Sequence, residues 1–294
     1  MGQRRAWLLN FEADLELAQE GSFTPGREVA RLVAGLRTRH GGRLLAPQDV
    51  EVDEGEPLGE ADRGLPGEAW CPTPGALARL KRAGAVPPAA PPLEVLRRVN
   101  DRAFNAELGL TLPGAEELRD LDGLRAAVRA RGEGEELLLK RAFSVAGRGQ
   151  LRVRGGELDG AALAWARAAY RGGRVQLEPR VTIERELVLH GRLTPAGELL
   201  LGRPCVQDCD PRGTWLDTRP AGPGEVEPDE LEALGRETER VAAALAAAGY
   251  FGPFGVDAFS WIDGAGARHF QPRSEINARY TLGWRAGFPL GGSG

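Results

Sequence analysis

FGVDAFSWIDGAGARHFQPRSEINAR, residues 254–279, is the stretch on which the reading of this fold turns. Two apolar runs flank a DGAG turn, so the segment predicts a β-hairpin. Asp257 sits inside the apolar run GVDAF, where a charge is expensive unless it is paired or bound to a metal. On the second strand Glu275 and Asn277 are two apart, which turns both oxygens to one side, and Arg279 follows at the same interval. Asp, Glu and Asn are hard oxygen donors that suit magnesium bridging nucleotide phosphates. A guanidinium beside them can neutralise a transferring phosphoryl group.

Upstream, LLLKRAFSVAGRGQLRV (137–153) ends an apolar strand on a lysine and runs into a glycine-rich loop. Of 38 basic residues only Lys81 and Lys140 are lysine, so a surviving lysine at such a place suggests a chemical need. Gly147 and Gly149 let backbone N–H groups approach anionic oxygens without side-chain interference. No Gly-Lys-Ser/Thr follows, which excludes a Walker A loop, and the lysine precedes the glycines, the reverse of a protein kinase. Between these stretches, QLEPRVTIERE (176–186) places Glu178 at a strand end, Val181 three residues on and Glu186 on the next strand. Such a carboxylate can accept hydrogen bonds from vicinal hydroxyls, and the backbone between the two glutamates can read a base edge. An amphipathic strand with solvated glutamates is the plainer alternative.

In this order, lysine strand, glycine-rich loop, Glu-x-x-Val with a second Glu, GVDAF and EINAR, the chain resembles the ATP-grasp superfamily over roughly residues 93–285. NDRAFNAELGLTLPGA resembles the family's helix before the first strand of its small lobe. The resemblance implies an α/β protein with two α+β lobes gripping ATP: a small lobe of about 110–185 and a C-terminal lobe of about 186–290. A small α/β domain, residues 1–92, would precede them, the boundary falling at VPPAAPP (86–92). It further implies that Lys140 binds a phosphate near the adenine and that the loop with Ser144, Gly147, Arg148 and Gly149 closes over the other phosphates. Glu178 and the Val181 backbone would hold the adenine, and Glu186 the ribose. Asp257, Glu275 and Asn277 would ligate Mg²⁺, and Arg279 would steady the transferred phosphoryl. Where the family often has lysine after Asn-Asp, this chain has Arg102, whose fork binds phosphate with different geometry.

The reaction so implied is ATP-dependent ligation, in which a substrate carboxylate becomes an acyl phosphate that an amine or other nucleophile captures. A nucleotide-binding protein without ligase activity, and a phosphoryl or pyrophosphoryl transferase, are the alternatives. The resemblance also implies small-molecule or peptide substrates and a homodimer. Arg212, Arg219 and Arg273 are candidates for holding a carboxylate, against the commoner reading of arginine as a solvated residue. Trp215 either packs a substrate or anchors its loop. NFEADLELA (10–18) reads as a solvated acidic helix face, with an amino-group site as the sharper alternative.

Composition narrows the class. A net charge of −4 with interspersed signs offers no basic field for nucleic acid or an anionic membrane. Glu12, Asp14 and Glu16 interrupt the N-terminal apolar patch before a signal-peptide core forms, and the expectation is a soluble cytoplasmic protein. Cys71, Cys205 and Cys209 are too few for a disulfide framework, and CVQDC has no second Cys or His cluster nearby, so isolated thiols are expected. His40, His190 and His269 fall in no triad or metal motif.

Overall fold

The computed structural model describes residues 3–19, 21, 23–53, 56–109, 112–144, 149–210 and 215–288. The first strand, β1 (Ala6–Leu8), is buried throughout and lies between two parallel partners, β2 (Val50–Glu51) and β3 (Gly67–Ala69). Helices α1 (Ala13–Ala18), α2 (Arg27–His40) and α3 (Pro74–Ala83) belong to this N-terminal region. Proline opens α3, the Thr73 hydroxyl accepts from the Ala76 N–H at 3.3 Å, and Gly84 ends the helix at φ 92°. GRLLAP (42–47), whose apolar run reads in sequence as a second strand, is instead a short 3₁₀ turn at Gly41–Arg43 followed by a turn at 46–49. The Asp49 carboxylate accepts from Ala46 N–H, Arg5 N–H and Trp7 Nε1, so the chain bends there and pairs with β1 only from Val50.

PLEVLRRVNDRAFNAELGL, which reads in sequence as one helix ending at Gly109, holds two helices, α4 (Leu93–Asn100) and α5 (Arg102–Glu107). Asp101 divides them, with extended backbone and a carboxylate that accepts from Ala103 N–H at 2.8 Å, capping the second helix. Gly109 follows at φ 69°. Next come β4 (Glu116–Leu118), α6 (Leu121–Arg129), β5 (Glu136–Arg141), β6 (Gln150–Arg154), α7 (Gly160–Tyr170) and β7 (Val175–Pro179). The strands form one antiparallel sheet in the order β4-β7-β5-β6. Leu137, Leu139, Val175 and Leu177 bury one face under α6 and α7, each leucine contributing about 2 kcal/mol. Alternation then gives the other face to Glu136, Leu138, Lys140, Gln176 and Glu178.

A second antiparallel sheet has the order β11-β10-β8-β12-β13, with β9 also on β8. Its strands are β8 (Thr182–Leu193), β9 (Leu199–Leu201), β10 (Cys205–Cys209), β11 (Trp215–Pro220), β12 (Gly252–Ile262) and β13 (Arg268–Asn277). Helix α8 (Pro228–Ala247) covers it and α9 (Trp284–Gly287) closes the described chain. The stretch from Val175 to Leu201 reads as a single meander in sequence, yet β7 belongs to the first sheet and β8 to the second, because Val175 and Leu177 pack with α6 and α7 while Leu187 and Leu189 enter the large core. The DGAG hairpin is as expected: Asp263 accepts from Ala265 and Ala267 N–H, and Gly266 sits at φ 85°. The large core joins Trp7, Phe11 and Leu96 to Leu187, Val256 and Tyr280. Among the described residues no helix is long and apolar enough to cross a membrane.

Candidate functional site

The inner face of the four-stranded sheet, the crossing segment 178–186 and the large sheet enclose a cavity of about 690 Å³. Lys140, Glu178, Val181 and Glu186, separated widely in sequence, all line it. Lys140 is buried, and its Nζ stands 2.5 Å from the Glu178 carboxylate on the neighbouring strand. Directly across the ladder from Lys140, Gln176 is buried with its Oε1 lacking a hydrogen-bond partner among the described residues. Leu138, Val206, Ile183 and Phe259 supply apolar wall. An aromatic base with a polyanionic tail matches this mixture of flat apolar wall and few polar groups.

Glu186 is raised above the usual carboxylate range by burial, against the opposing pull of the Cys209 thiol, which donates to it at 3.2 Å, and of Lys140. Burial and the acidic neighbours Glu186, Asp257 and Asp210 push the Cys209 thiol far up in turn. The sequence reads this cysteine as an isolated thiol; its place on β10, paired with β8 beside Glu186, is a matter of sheet register alone.

Behind the cavity lies a second group of charges. Asp257 on β12 faces Glu275 across the ladder to β13. Gln207 Nε2 and Asn277 Nδ2 donate to the two Asp257 oxygens at 3.0 and 2.8 Å. Burial, then Glu275 and Glu186, push Asp257 up to about 7. Burial also acts on Glu275, but Arg102, Lys140 and Arg279 outweigh it and hold that carboxyl below its ordinary value. Arg279 donates to Asn277 Oδ1 at 2.6 Å and to Asp14 at 2.7 Å. Arg102, 7% exposed, donates through Nε to the Arg141 carbonyl at 3.1 Å and through Nη2 to Glu275 at 3.0 Å; its Nη1 is buried without a partner among the described residues.

No family model matches the sequence, and no curated protein matches it. Solved structures do. D-alanyl-alanine synthetase A of Vibrio cholerae O1 biovar eltor superposes with a TM-score of 0.57 at 13% identity, over 100% of this chain and 95% of that one. Biotin carboxylase of Campylobacter jejuni, in its beta-gamma-ATP complex, gives 0.56 at 13% identity over 98% and 68%. N5-carboxyaminoimidazole ribonucleotide synthetase of Thermus thermophilus gives 0.51 at 20% identity over 94% and 71%. These are ATP-grasp enzymes. The chain has the ATP-grasp fold.

An ATP-grasp site implies magnesium, and the charges present can be tested against it. Asp257 and Glu275 offer two carboxylates whose mutual repulsion, recorded in the raised Asp257, a dication would relieve. Asn277 keeps one lone pair on Oδ1 beyond the bond from Arg279. The set fits a hard dication that retains water ligands. It is two carboxylates and an amide; no cluster of three His, Cys, Asp or Glu side chains suited to a metal occurs among the described residues.

Of the other expected residues, Arg219 also lines the cavity. Ser144 and Gly149 meet at the base of the glycine-rich loop, where a Cβ on Gly149 would come 2.1 Å from Ser144 Cβ; Gly147 and Arg148 lie outside the described residues, as does Arg212. Arg273 is fully buried, bonded to Glu237 on α8 and to Asn105 and Gly109, so it ties helices to β13 and is neither a solvated arginine nor open to a substrate. Arg219 is spent on Glu225. Trp215 donates to Thr218 and packs edge-on against His40, anchoring its loop to the N-terminal region. The solvated reading of NFEADLELA is overturned: Asn10, Glu12 and Asp14 are buried, Glu12 pairs with Arg79, and Asp14 reaches Arg279.

Proposed function

We propose that this protein is an ATP- and magnesium-dependent ligase that activates a substrate carboxylate as an acyl phosphate for capture by an amine or other nucleophile. The observation that carries the reading is the convergence of the Lys140 and Arg102 cations on Glu275, with Arg102 Nη1 buried and without a hydrogen-bond partner among the described residues and an apolar-walled cavity beside them. A buried donor without an acceptor is costly, and phosphate oxygens are the acceptors this fold is built around.

In this reading Glu178 and the backbone at Val181 hold the adenine, Glu186 accepts from the ribose, and Lys140 and Arg102 neutralise phosphate oxygens. Asp257, Glu275 and Asn277 hold the metal, which when bound polarises the phosphoryl group. The substrate carboxylate oxygen attacks the γ-phosphorus, the bond to ADP breaks, and Arg279 offsets the charge on the transferred group. The amine lone pair then attacks the acyl carbon, phosphate leaves, and the amine gives up a proton. Positioning and charge neutralisation suffice, which accounts for a site with no nucleophilic triad.

A thermal-shift comparison of ATP with Mg²⁺ against ATP alone and GTP tests the nucleotide site, stabilisation by ATP with metal being expected. Screening carboxylate and amine pairs for ADP and phosphate release then tests the reaction; AMP released without free pyrophosphate, the pyrophosphoryl group staying on the acceptor, would point to pyrophosphoryl transfer instead. Lys140→Ala and Glu275→Ala should each abolish turnover. Full activity in either variant would overturn the assignment.

A further inference from the structure

We propose that Arg102 is a pivot that surrenders Glu275 in order to take phosphate, so that metal at Glu275 and phosphate at Arg102 strengthen one another's binding. The inference rests on the nucleotide reading above and concerns how this chain's own arginine behaves within it.

Three observations carry it. First, Arg102 is held from behind: its backbone N–H donates to the Ala142 carbonyl at 3.2 Å and its Nε to the Arg141 carbonyl at 3.1 Å. The Arg141 carbonyl closes β5 and the Ala142 carbonyl follows it, both beside the strand that carries Lys140, so the guanidinium keeps its place while its outer edge is free to change partners. Second, that outer edge is half used. Nη2 bonds Glu275 on β13 of the other sheet, while Nη1 is buried with no hydrogen-bond partner among the described residues, an arrangement that loses a hydrogen bond compared with any ligand offering two oxygens. Third, the partners differ in freedom. The Arg102 side chain is 6% exposed and Glu275 is 37% exposed, so Glu275 is the member able to swing away.

A carboxylate cannot serve Arg102 and a dication with the same oxygen at full strength. Drawing Glu275 toward a metal beside Asp257 therefore releases Nη2 next to the idle Nη1, and the two N–H groups form a fork for phosphate. Phosphate arriving first would release Glu275 to the metal in the same way. A lysine at this position offers a single ammonium. It cannot grip the Arg141 carbonyl through one nitrogen while presenting two others, so the device depends on arginine.

The test is a double-mutant cycle read by calorimetric titration of the full chain with ATP in EDTA, where no metal contributes. Glu275→Gln replaces the charge-assisted contact to Nη2 with a weaker neutral one and so loosens the fork, and metal-free ATP should bind about tenfold more tightly than to the wild type. In an Arg102→Gln background, which keeps an amide donor for the Arg141 carbonyl, the same Glu275→Gln change should gain less than about threefold. Arg102→Met provides a second background with the same expectation should the glutamine variant melt early. An equal gain in every background would overturn the pivot, since Glu275 would then act only by repelling phosphate. If the wild type binds ATP neither in EDTA nor with Mg²⁺, the nucleotide reading falls, and the pivot with it.

Discussion

Asp14 and Arg279 stand 2.7 Å apart across 265 residues of chain, both largely buried, with the Arg279 guanidinium 5.9 Å from the centre of the Trp70 ring. The pair joins the segment after the first strand to the end of the strand that carries Glu275. Asp14→Ala would leave the guanidinium unpaired, and a loss of about 3 kcal/mol in urea-unfolding stability is expected. Adding Arg279→Met should restore part of it without restoring activity, because the Asn277 contact is lost as well.

Lys140 and Glu178 allow stability and function to be separated. Lys140→Met leaves a buried carboxylate without its cation, so the melting temperature should fall together with ATP-dependent turnover. Lys140→Met with Glu178→Leu should recover the melting temperature and remain inactive. Recovery of both would place the lysine outside the chemistry.

Asp257 makes a prediction about pH. Its folded-state pKa of about 7 lies above the ordinary value of 3.8, so the folded protein holds the proton more tightly than the unfolded chain. Stability from this group is fully present below about pH 4 and is lost as pH rises toward 7. Asp257→Asn removes that loss: in the absence of metal it should melt several degrees higher than the wild type at pH 8 and no higher at pH 3.5. Magnesium added at pH 8 should stabilise the wild type and leave the variant unmoved.

Cys209 offers a footprint. Cys71 and Cys205 are buried, whereas Cys209 is half-buried and lines the cavity, its thiol held well above the ordinary range. Alkylation followed by mass spectrometry should label Cys209 first, slowly at neutral pH and faster as pH rises. Mg-ATP should suppress it. Labelling indifferent to nucleotide would remove Cys209 and its partner Glu186 from the ribose side.

Much of the cavity was legible because its signals are local. Lys140 and Glu178 follow from strand alternation, and the GVDAF and EINAR runs fall on the two arms of one hairpin. What escaped was long-range. Nothing around residue 10 announces Arg279, so a run of three acids there reads as solvated although two of them are buried. Arg273 resembles its neighbours Glu275 and Asn277 in spacing, yet it lies where β13 departs from regular register, and α5 and α8 close over it. The division of the apparent meander between two sheets depends on which helices cover each strand, and alternation within a strand carries no trace of that.

The mixed composition of the large core bears on how the chain can be cut and recombined. Trp7 packs against Tyr280 with ring centres 5.0 Å apart and planes tilted by 59°, and Phe11 and Leu96 share that core with Leu187 and Val256. A fragment beginning after the proline cluster would bare the aromatic bed of Tyr280 and leave Arg279 without Asp14. Exchanging the first 92 residues for those of another protein is thus a transplant into an existing core rather than the attachment of a module, and a donor segment would have to bring its own tryptophan and aspartate to match.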